Sequence, residues 1–265
     1  NRSAQEVVDA AIQEDAHAVA LSSYQGGHNE YFAYIRELLD QAGAKNVRIF
    51  GGGGGVITPK EIKALHEKGI TRIYSPEDGM KLGLVGIIDN MLERADHDTL
   101  EGFDFSKINT KKLDARTIGK VVSALENGIE IKFSDEKSVV PVLGITGTGG
   151  AGKSSLIDEL LLRFNRIYPD KKIALVSVDP TKKKTQGALL GDRIRLGSSV
   201  YSQFYVRSLA TRDSNTELSP QIKKVTKFLK SQDFSLIIIE TSGIGQASDE
   251  ITKVADKCAY VMTPE

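Results

Sequence analysis

Gly147-Thr148-Gly149-Gly150-Ala151-Gly152-Lys153-Ser154 decides how the second half of the chain must fold. The apolar run Val139-Val140-Pro141-Val142-Leu143-Gly144-Ile145 precedes it, and Ser155-Leu156-Ile157-Asp158-Glu159-Leu160-Leu161 follows. This is G-x-x-x-x-G-K-S between a strand and an amphipathic helix, the context in which such a loop cradles phosphates. Glycines let backbone N–H groups turn inward around a polyphosphate, and the helix N-terminus adds its positive dipole end. Lys153 is placed to reach the β/γ-phosphates and the Ser154 hydroxyl to ligate Mg²⁺, with Gly149, Gly150, Ala151, Gly152 and Ser155 around the nucleotide.

Working outward, the strand Lys172–Pro180 ends in Asp179, and the strand Phe234–Glu240 ends in Glu240 followed by Thr241-Ser242-Gly243-Ile244-Gly245-Gln246. A carboxylate closing an apolar strand next to a phosphate loop is what Mg²⁺ requires, and a glycine soon after lets an N–H reach a γ-phosphate. Such carboxylates also serve as plain helix caps, but two beside one phosphate loop favour the metal.

The 265 residues suit one large domain or two ordinary ones. Hydrophobic residues at 40% and charged residues at 26% describe a globular chain with a core. Formal charge is zero, which argues against nucleic acid or an anionic membrane as partner. No apolar run approaches the roughly 20 residues of a membrane helix. The single cysteine, Cys258, excludes an internal disulfide and suggests a reducing, cytoplasmic setting; in the strand Cys258–Met262 it reads as buried filler rather than nucleophile. Both ends read as cut, as in a fragment of something longer.

The first half alternates strands and helices. Residues 3–14 read as a helix with Ser3 as N-cap and Glu6 completing a capping box. A buried strand, 16–22, leads through Ser23–His28 to a helix over 30–41 with Phe32, Ile35, Leu38 and Leu39 on one face. The strand 46–50 ends in five glycines, Gly51–Gly55, before a helix capped by Thr58-Pro59. The strand 71–74 meets Ser75–Gly79 and a helix to about Arg94. That alternation predicts an α/β fold of doubly wound parallel sheets, with ligands at the carboxyl ends of the strands. Five glycines there suit a close backbone approach to a large, flat or phosphate-bearing ligand, or else a floppy loop. His28 could face such a ligand, His17 reads as a strand residue, and His66 and His97 as surface residues. Residues 95–111 are polar and read as a linker, followed by a helix from Asp114 ended near Asn127-Gly128. The domains expected are 1–95, a linker and helix over 96–128, and 129–265.

Ser22-Ser23-Tyr24 and Gly51-Gly52, spaced by Gln25–Phe50, resemble the S-x-L…G-G half of cobalamin-binding domains in B12-dependent mutases. Gly54-Gly55-Val56-Ile57 resembles the G-G-V-I of acyl-CoA mutases, so either glycine pair could be the family's. The resemblance implies a flavodoxin- or Rossmann-like domain in which Ser22, Tyr24, Gly51, Gly52, Gly53, Gly54 and Ser75 line a channel for the nucleotide tail of adenosylcobalamin. Tyr24 stands where the motif has Leu. None of the four histidines sits in the family's cobalt-ligating D-x-H-x-x-G motif, so no cobalt ligand is assigned.

The second half is similar to the G-protein chaperones of these mutases, P-loop proteins of the SIMIBI class. The likeness rests on Gly144–Ser155, Val178-Asp179-Pro180, Gly191-Asp192-Arg193-Ile194-Arg195, Arg207–Arg212 and Glu240–Gln246. It departs at Lys182–Gln186, where relatives are richer in Ser and Gly. By resemblance, Ser154, Asp179, Asp192 and Glu240 surround Mg²⁺, Lys153 holds the phosphates, Gly243 contacts the nucleotide, and Gln246 orients water. Guanine, and with it GTP, comes by resemblance alone, since the base-reading N-K-x-D loop would lie beyond Glu265. Both halves in one chain resemble natural fusions of an acyl-CoA mutase with its chaperone. That implies a GTPase gating cofactor loading and protection in an isobutyryl-CoA/n-butyryl-CoA mutase. It also implies a homodimer and an acyl-CoA site on a further barrel. A P-loop metallochaperone or targeting GTPase with a ligand-binding module in front, and an ATP-dependent small-molecule kinase, are the alternatives.

Overall fold

The computed structural model describes residues 2–24, 26–108, 112–133, 139–180, 203–211, 220–241 and 251–263. The chain divides into two compact units, Asn1–Gly102 and Phe103–Glu265.

In the first unit the elements are α1 (Ala4–Gln13), β1 (Ala18–Ser22), α2 (His28–Gln41), β2 (Arg48–Gly52), α3 (Pro59–Glu67), β3 (Arg72–Tyr74) and α4 (Pro76–Ala95). The strands pair in parallel in the order β1-β2-β3. Apolar residues at helical spacing on α2 (Phe32, Ile35, Leu39) close over Ile49 and Ile73, with Val8 of α1 and Leu65 of α3 in the same core. The capping box at Ser3 and Glu6 forms as the sequence predicts, and Thr58 with Glu61 forms another, with Pro59 in the first turn of α3. The helix expected after Ser75–Gly79 already begins at Pro76, with Ser75 as its N-cap, and is broken at Gly83, whose φ of 64° lies outside helical values.

Two expectations move. The strand expected over 46–50 is β2, Arg48–Gly52, so Gly51 and Gly52 belong to the sheet and only Gly53–Gly55 lie beyond it. Gly51 is there for packing: a Cβ would meet Ile73 Cδ1 and Phe32 Cε2, each at 2.6 Å. His17 precedes β1 rather than belonging to it, and its ring meets that of His97 edge-on at 5.3 Å.

The second unit contains α5 (Ala115–Glu126), β4 (Val142–Gly147), α6 (Lys153–Ile167), β5 (Ile173–Pro180), β6 (Phe204–Thr211), α7 (Pro220–Lys230), β7 (Leu236–Thr241) and β8 (Lys257–Val261). Among the described residues its sheet is parallel throughout, in the order β6-β5-β7-β4-β8. On one face Val121 and Val122 of α5 and Val225 and Phe228 of α7 pack with Ile237 and Ile239. Ile157 and Leu161 of α6 cover Ile145, Leu175 and Ile238 on the other. Helices on both faces make this the doubly wound arrangement that the P-loop context predicts.

Of the residues read as linker and helix, 96–102 fall in the first unit and the rest in the second, where Ile108 and most of α5 are buried. The buried Arg207 of β6 donates to Ser123 Oγ at 3.0 Å and pairs with Glu126, tying α5 to the sheet. Cys258, read as buried filler, is exposed. It lies on β8, which is an edge strand among the described residues and has a neighbour on one side only.

Candidate functional site

The strand order of the second unit builds the site. Because β7 inserts between β4 and β5, Glu240 lies opposite Ile145 on one side and Ser177 on the other. The phosphate loop leaves the carboxyl end of β4, next to Glu240. Gly152, at φ 87°, is the N-cap of α6, a backbone conformation that a side chain would strain. The first helical bonds follow at once, with Leu156 N–H donating to Gly152 O at 2.9 Å.

Lys153 is 9% exposed, and its Nζ donates to the loop carbonyls of Gly147 at 2.8 Å and Thr148 at 3.0 Å. The ammonium is thus held over the mouth of the loop by acceptors that a phosphate oxygen could replace. Ser154 Oγ donates to Glu240 Oε1 at 2.8 Å, and Ser177 Oγ donates to Glu240 Oε2 at 3.3 Å. Glu240 is 6% exposed, so both carboxylate oxygens are fixed in a dry setting. The hydroxyls of Thr146 and Thr241, at the ends of β4 and β7, are buried and have no partner among the described residues.

The Ser154 and Glu240 oxygens suit a hard cation. This hydroxyl and this carboxylate are donors Mg²⁺ takes, with water completing its shell, whereas a softer metal would call for thiolate or imidazole; alternation along β4 and β7 puts Thr146 and Thr241 on the other face of the sheet. Among the described residues no three His, Cys, Asp or Glu side chains gather into a cage. Asp179 ends β5 one strand from Glu240, but its side chain lies outside the described residues, as do Asp192, Gly243 and Gln246. The structure therefore brings together Lys153, Ser154 and Glu240 of the expected set. It adds Ser177, which sequence reading missed. Its signal, a polar residue two positions before Asp179 on an otherwise apolar strand, acquires meaning only from the β5–β7 register.

In the first unit the three strands end side by side, with Ser22 opposite Gly52 and Gly52 opposite Tyr74. The loops after them form a shared rim. Ser23 N–H donates to Gly52 O at 3.0 Å, and Ser23 Oγ donates to Gly26 O at 3.3 Å. Gly53 is buried, while Gly54 is exposed beside the Tyr24 ring, which is itself 73% exposed. Ser75 is engaged in a capping box: its Oγ donates to Asp78 Oδ2 at 3.1 Å and accepts from Asp78 N–H at 3.2 Å. Partial burial would raise the Asp78 carboxyl, but the Ser75 backbone and hydroxyl and the Arg72 guanidinium outweigh it and hold it below the usual carboxylate range. Of the residues expected to face a ligand here, Ser22, Tyr24, Gly52, Gly53 and Gly54 share this rim. Gly51 is enclosed by the core and Ser75 caps α4.

His28 is buried at the start of α2, with Nε2 3.3 Å from Glu61 Oε1. His66, by contrast, stays exposed on α3, where its Nε2 accepts from the Ile73 N–H at 3.2 Å. Among the described residues no helix is long and apolar enough to cross a membrane.

With this geometry in place, comparison with known proteins is direct. The profile of the family described as methylmalonyl-CoA mutase-associated GTPase MeaB matches residues 131–265. The chain is 53% identical over 280 aligned residues to the fused isobutyryl-CoA mutase of Geobacillus kaustophilus, covering 100% of this chain and 26% of that protein. For the fused isobutyryl-CoA mutase of Cupriavidus metallidurans the identity is 47% over 273 residues, covering 100% of this chain and 25% of that protein. The mitochondrial methylmalonic aciduria type A homolog of Caenorhabditis elegans is 30% identical over 162 residues, covering 60% of this chain and 40% of that protein. The chain thus spans about a quarter of the length of the fused relatives it matches. A phosphate loop whose serine is bonded to a strand-end glutamate, on a sheet matched by that profile, places this chain in the methylmalonyl-CoA mutase-associated GTPase (MeaB) family.

Proposed function

We propose that this chain is the cofactor-handling part of an adenosylcobalamin-dependent acyl-CoA mutase acting on isobutyryl-CoA and n-butyryl-CoA. GTP hydrolysis in the second unit would gate loading and protection of the cofactor held by the first. The observation that carries this reading is likeness across 100% of the chain, at 53% identity, to a fused isobutyryl-CoA mutase. A targeting GTPase or metallochaperone would account for the phosphate loop but not for a match that runs through the glycine-rich first unit as well.

In this reading residues 1–95 form the cobalamin-binding part, 96–128 a linker and helix, and 129–265 the GTPase. The γ-phosphate of GTP takes over Lys153 Nζ from the carbonyls of Gly147 and Thr148, so the charge already held at the loop is aimed at the transferring group. The N–H groups of Gly149 to Ser155 surround the phosphates, and that of Gly243 meets the γ-phosphate. Ser154 and Glu240, with Asp179 and Asp192, would hold Mg²⁺, which when bound neutralises charge on the β- and γ-oxygens. Gln246 orients the attacking water in line. In the first unit, Ser22, Tyr24 and Gly52 to Gly54 shape the channel for the nucleotide tail of adenosylcobalamin, with Gly51 supporting it from the core and Ser75 from the start of α4. That cofactor supplies the radical chemistry of the rearrangement. The acyl-CoA is met by a further domain, the assembly is a homodimer, and it works in the cytoplasm.

Two titrations of the full-length protein test this. Adenosylcobalamin should shift the visible spectrum, and absence of any shift would end the cobalamin reading. GTP should be turned over in preference to ATP, and the reverse preference would end the chaperone reading.

A further inference from the structure

His28 opens α2 directly after the loop from β1, yet it is only 5% exposed. Its Nε2 lies 3.3 Å from Glu61 Oε1, and the neighbouring Asn29 Nδ2 donates to the same oxygen at 2.9 Å. The other oxygen, Glu61 Oε2, accepts from Thr58 N–H at 2.8 Å and from Thr58 Oγ1 at 2.7 Å. Thr58 closes the loop that begins at Gly53 after β2. One carboxylate therefore joins the first turn of α2 to the end of the neighbouring strand's loop.

Helix capping alone does not require this. Three helices of the first unit begin with a capping box, and each box acid has a basic partner. For Glu6 and Asp78 that partner is an arginine close in sequence, Arg2 or Arg72. For Glu61 it is a buried imidazole from a different loop. Glu61 is held down to a pKa of about 2, first by the Thr58 backbone N–H, then by the Thr58 hydroxyl, Asn29 and, last, His28. An anion already so well supplied with donors gains little as a cap from one more, whereas the two loops gain a cross-link. The facing carboxylate can only accept, so the 3.3 Å approach calls for a proton on Nε2, although its alignment falls short of a hydrogen bond and neither buried ring nitrogen has another partner among the described residues.

We propose that His28 is a positioning residue: through Glu61 it sets the separation of loops 23–27 and 53–57, the two sides of the rim that would take the cofactor's nucleotide tail. The ligand part rests on the reading given under Proposed function; the loop spacing does not.

The test is amide hydrogen exchange on the full-length protein without cofactor, followed by cofactor titration read from the visible spectrum. In His28→Ala, exchange at residues 53–57 should rise about tenfold, the loss of one close polar contact to a charged group, while the amides of α1 keep their protection. The adenosylcobalamin concentration at half saturation should rise by about the same factor. His28→Gln, which keeps a donor, should restore both. Unchanged exchange at 53–57, a loss spread evenly over the unit, or a Gln variant no better than Ala would each overturn the proposal. If the unmodified protein shows no spectral change with adenosylcobalamin, the cofactor reading falls, and the exchange comparison still decides the positioning role.

Discussion

Ser154 Oγ donates to Glu240 Oε1 at 2.8 Å, joining the first turn of α6 to the end of β7 across 86 residues of sequence. The hydroxyl that a phosphate loop offers to a metal is thus already bound to the carboxylate that would share that metal. Exchanging this bond for Mg²⁺ keeps both groups in place, so little reorganisation accompanies binding. Glu240→Gln should weaken Mg²⁺ binding about 10- to 100-fold, because a neutral amide replaces an anionic donor. Mg²⁺ dependence of GTP turnover measures it.

Ser177 orients Glu240 from the opposite side at 3.3 Å. Ser177→Ala should raise the Mg²⁺ concentration at half-maximal turnover by about 10-fold, as loss of an outer-shell partner does, with a smaller change in the maximal rate. A pure fall in the maximal rate would show that Ser177 acts otherwise.

Lys153 Nζ rests on two carbonyls of the loop that opens α6. Lys153→Ala should lower the GTP hydrolysis rate by about 100-fold or more, the effect of removing a preorganised charge donor. Single-turnover hydrolysis would check it, with the melting temperature unchanged.

Gly51 has no room for a methyl group between Phe32 and Ile73. Gly51→Ala should destabilise the first unit by about 1–3 kcal/mol through overpacking, read as a fall in the urea midpoint. Gly54→Ala acts differently: its φ of 55° makes the cost conformational, of order 1 kcal/mol, with the core untouched.

Acid should loosen two helix starts. Arg2 and Ser3 hold Glu6, and Thr58 with Asn29 and His28 holds Glu61, each at a pKa of about 2 against an ordinary 4.5. A depressed carboxylate contributes stability that is present above pH 4.5 and is lost as pH falls toward 2. Amide exchange at the first turns of α1 and α3 should rise through that window, and Glu61→Gln should remove the pH dependence at α3 alone.

The local features were legible in the chain because they depend on neighbours a few residues away. Ser3 and Glu6 form a capping box wherever a helix follows, and Gly147–Ser154 can serve as a phosphate loop once a strand precedes it. The alternation of strands and helices likewise sufficed for parallel sheets. Gly51 and Gly52 were harder: glycines read as loop, but both belong to the strand, and at Gly51 the Phe32 and Ile73 side chains come so close that a Cβ has no room. Cys258 looked like core because its strand is apolar, and lies exposed because the strand has a neighbour on one side only among the described residues.

By itself the sequence determined that Gly147–Ser154 is built to cradle phosphates, since spacing, glycine freedom and helix dipole are properties of that stretch alone. Only the tertiary structure decided what meets them. With β7 between β4 and β5, Glu240 reaches Ser154 and Ser177, and with α2 beside α3, His28 reaches Glu61. Those pairings depend on strand order and register, which bring together residues that no local pattern links.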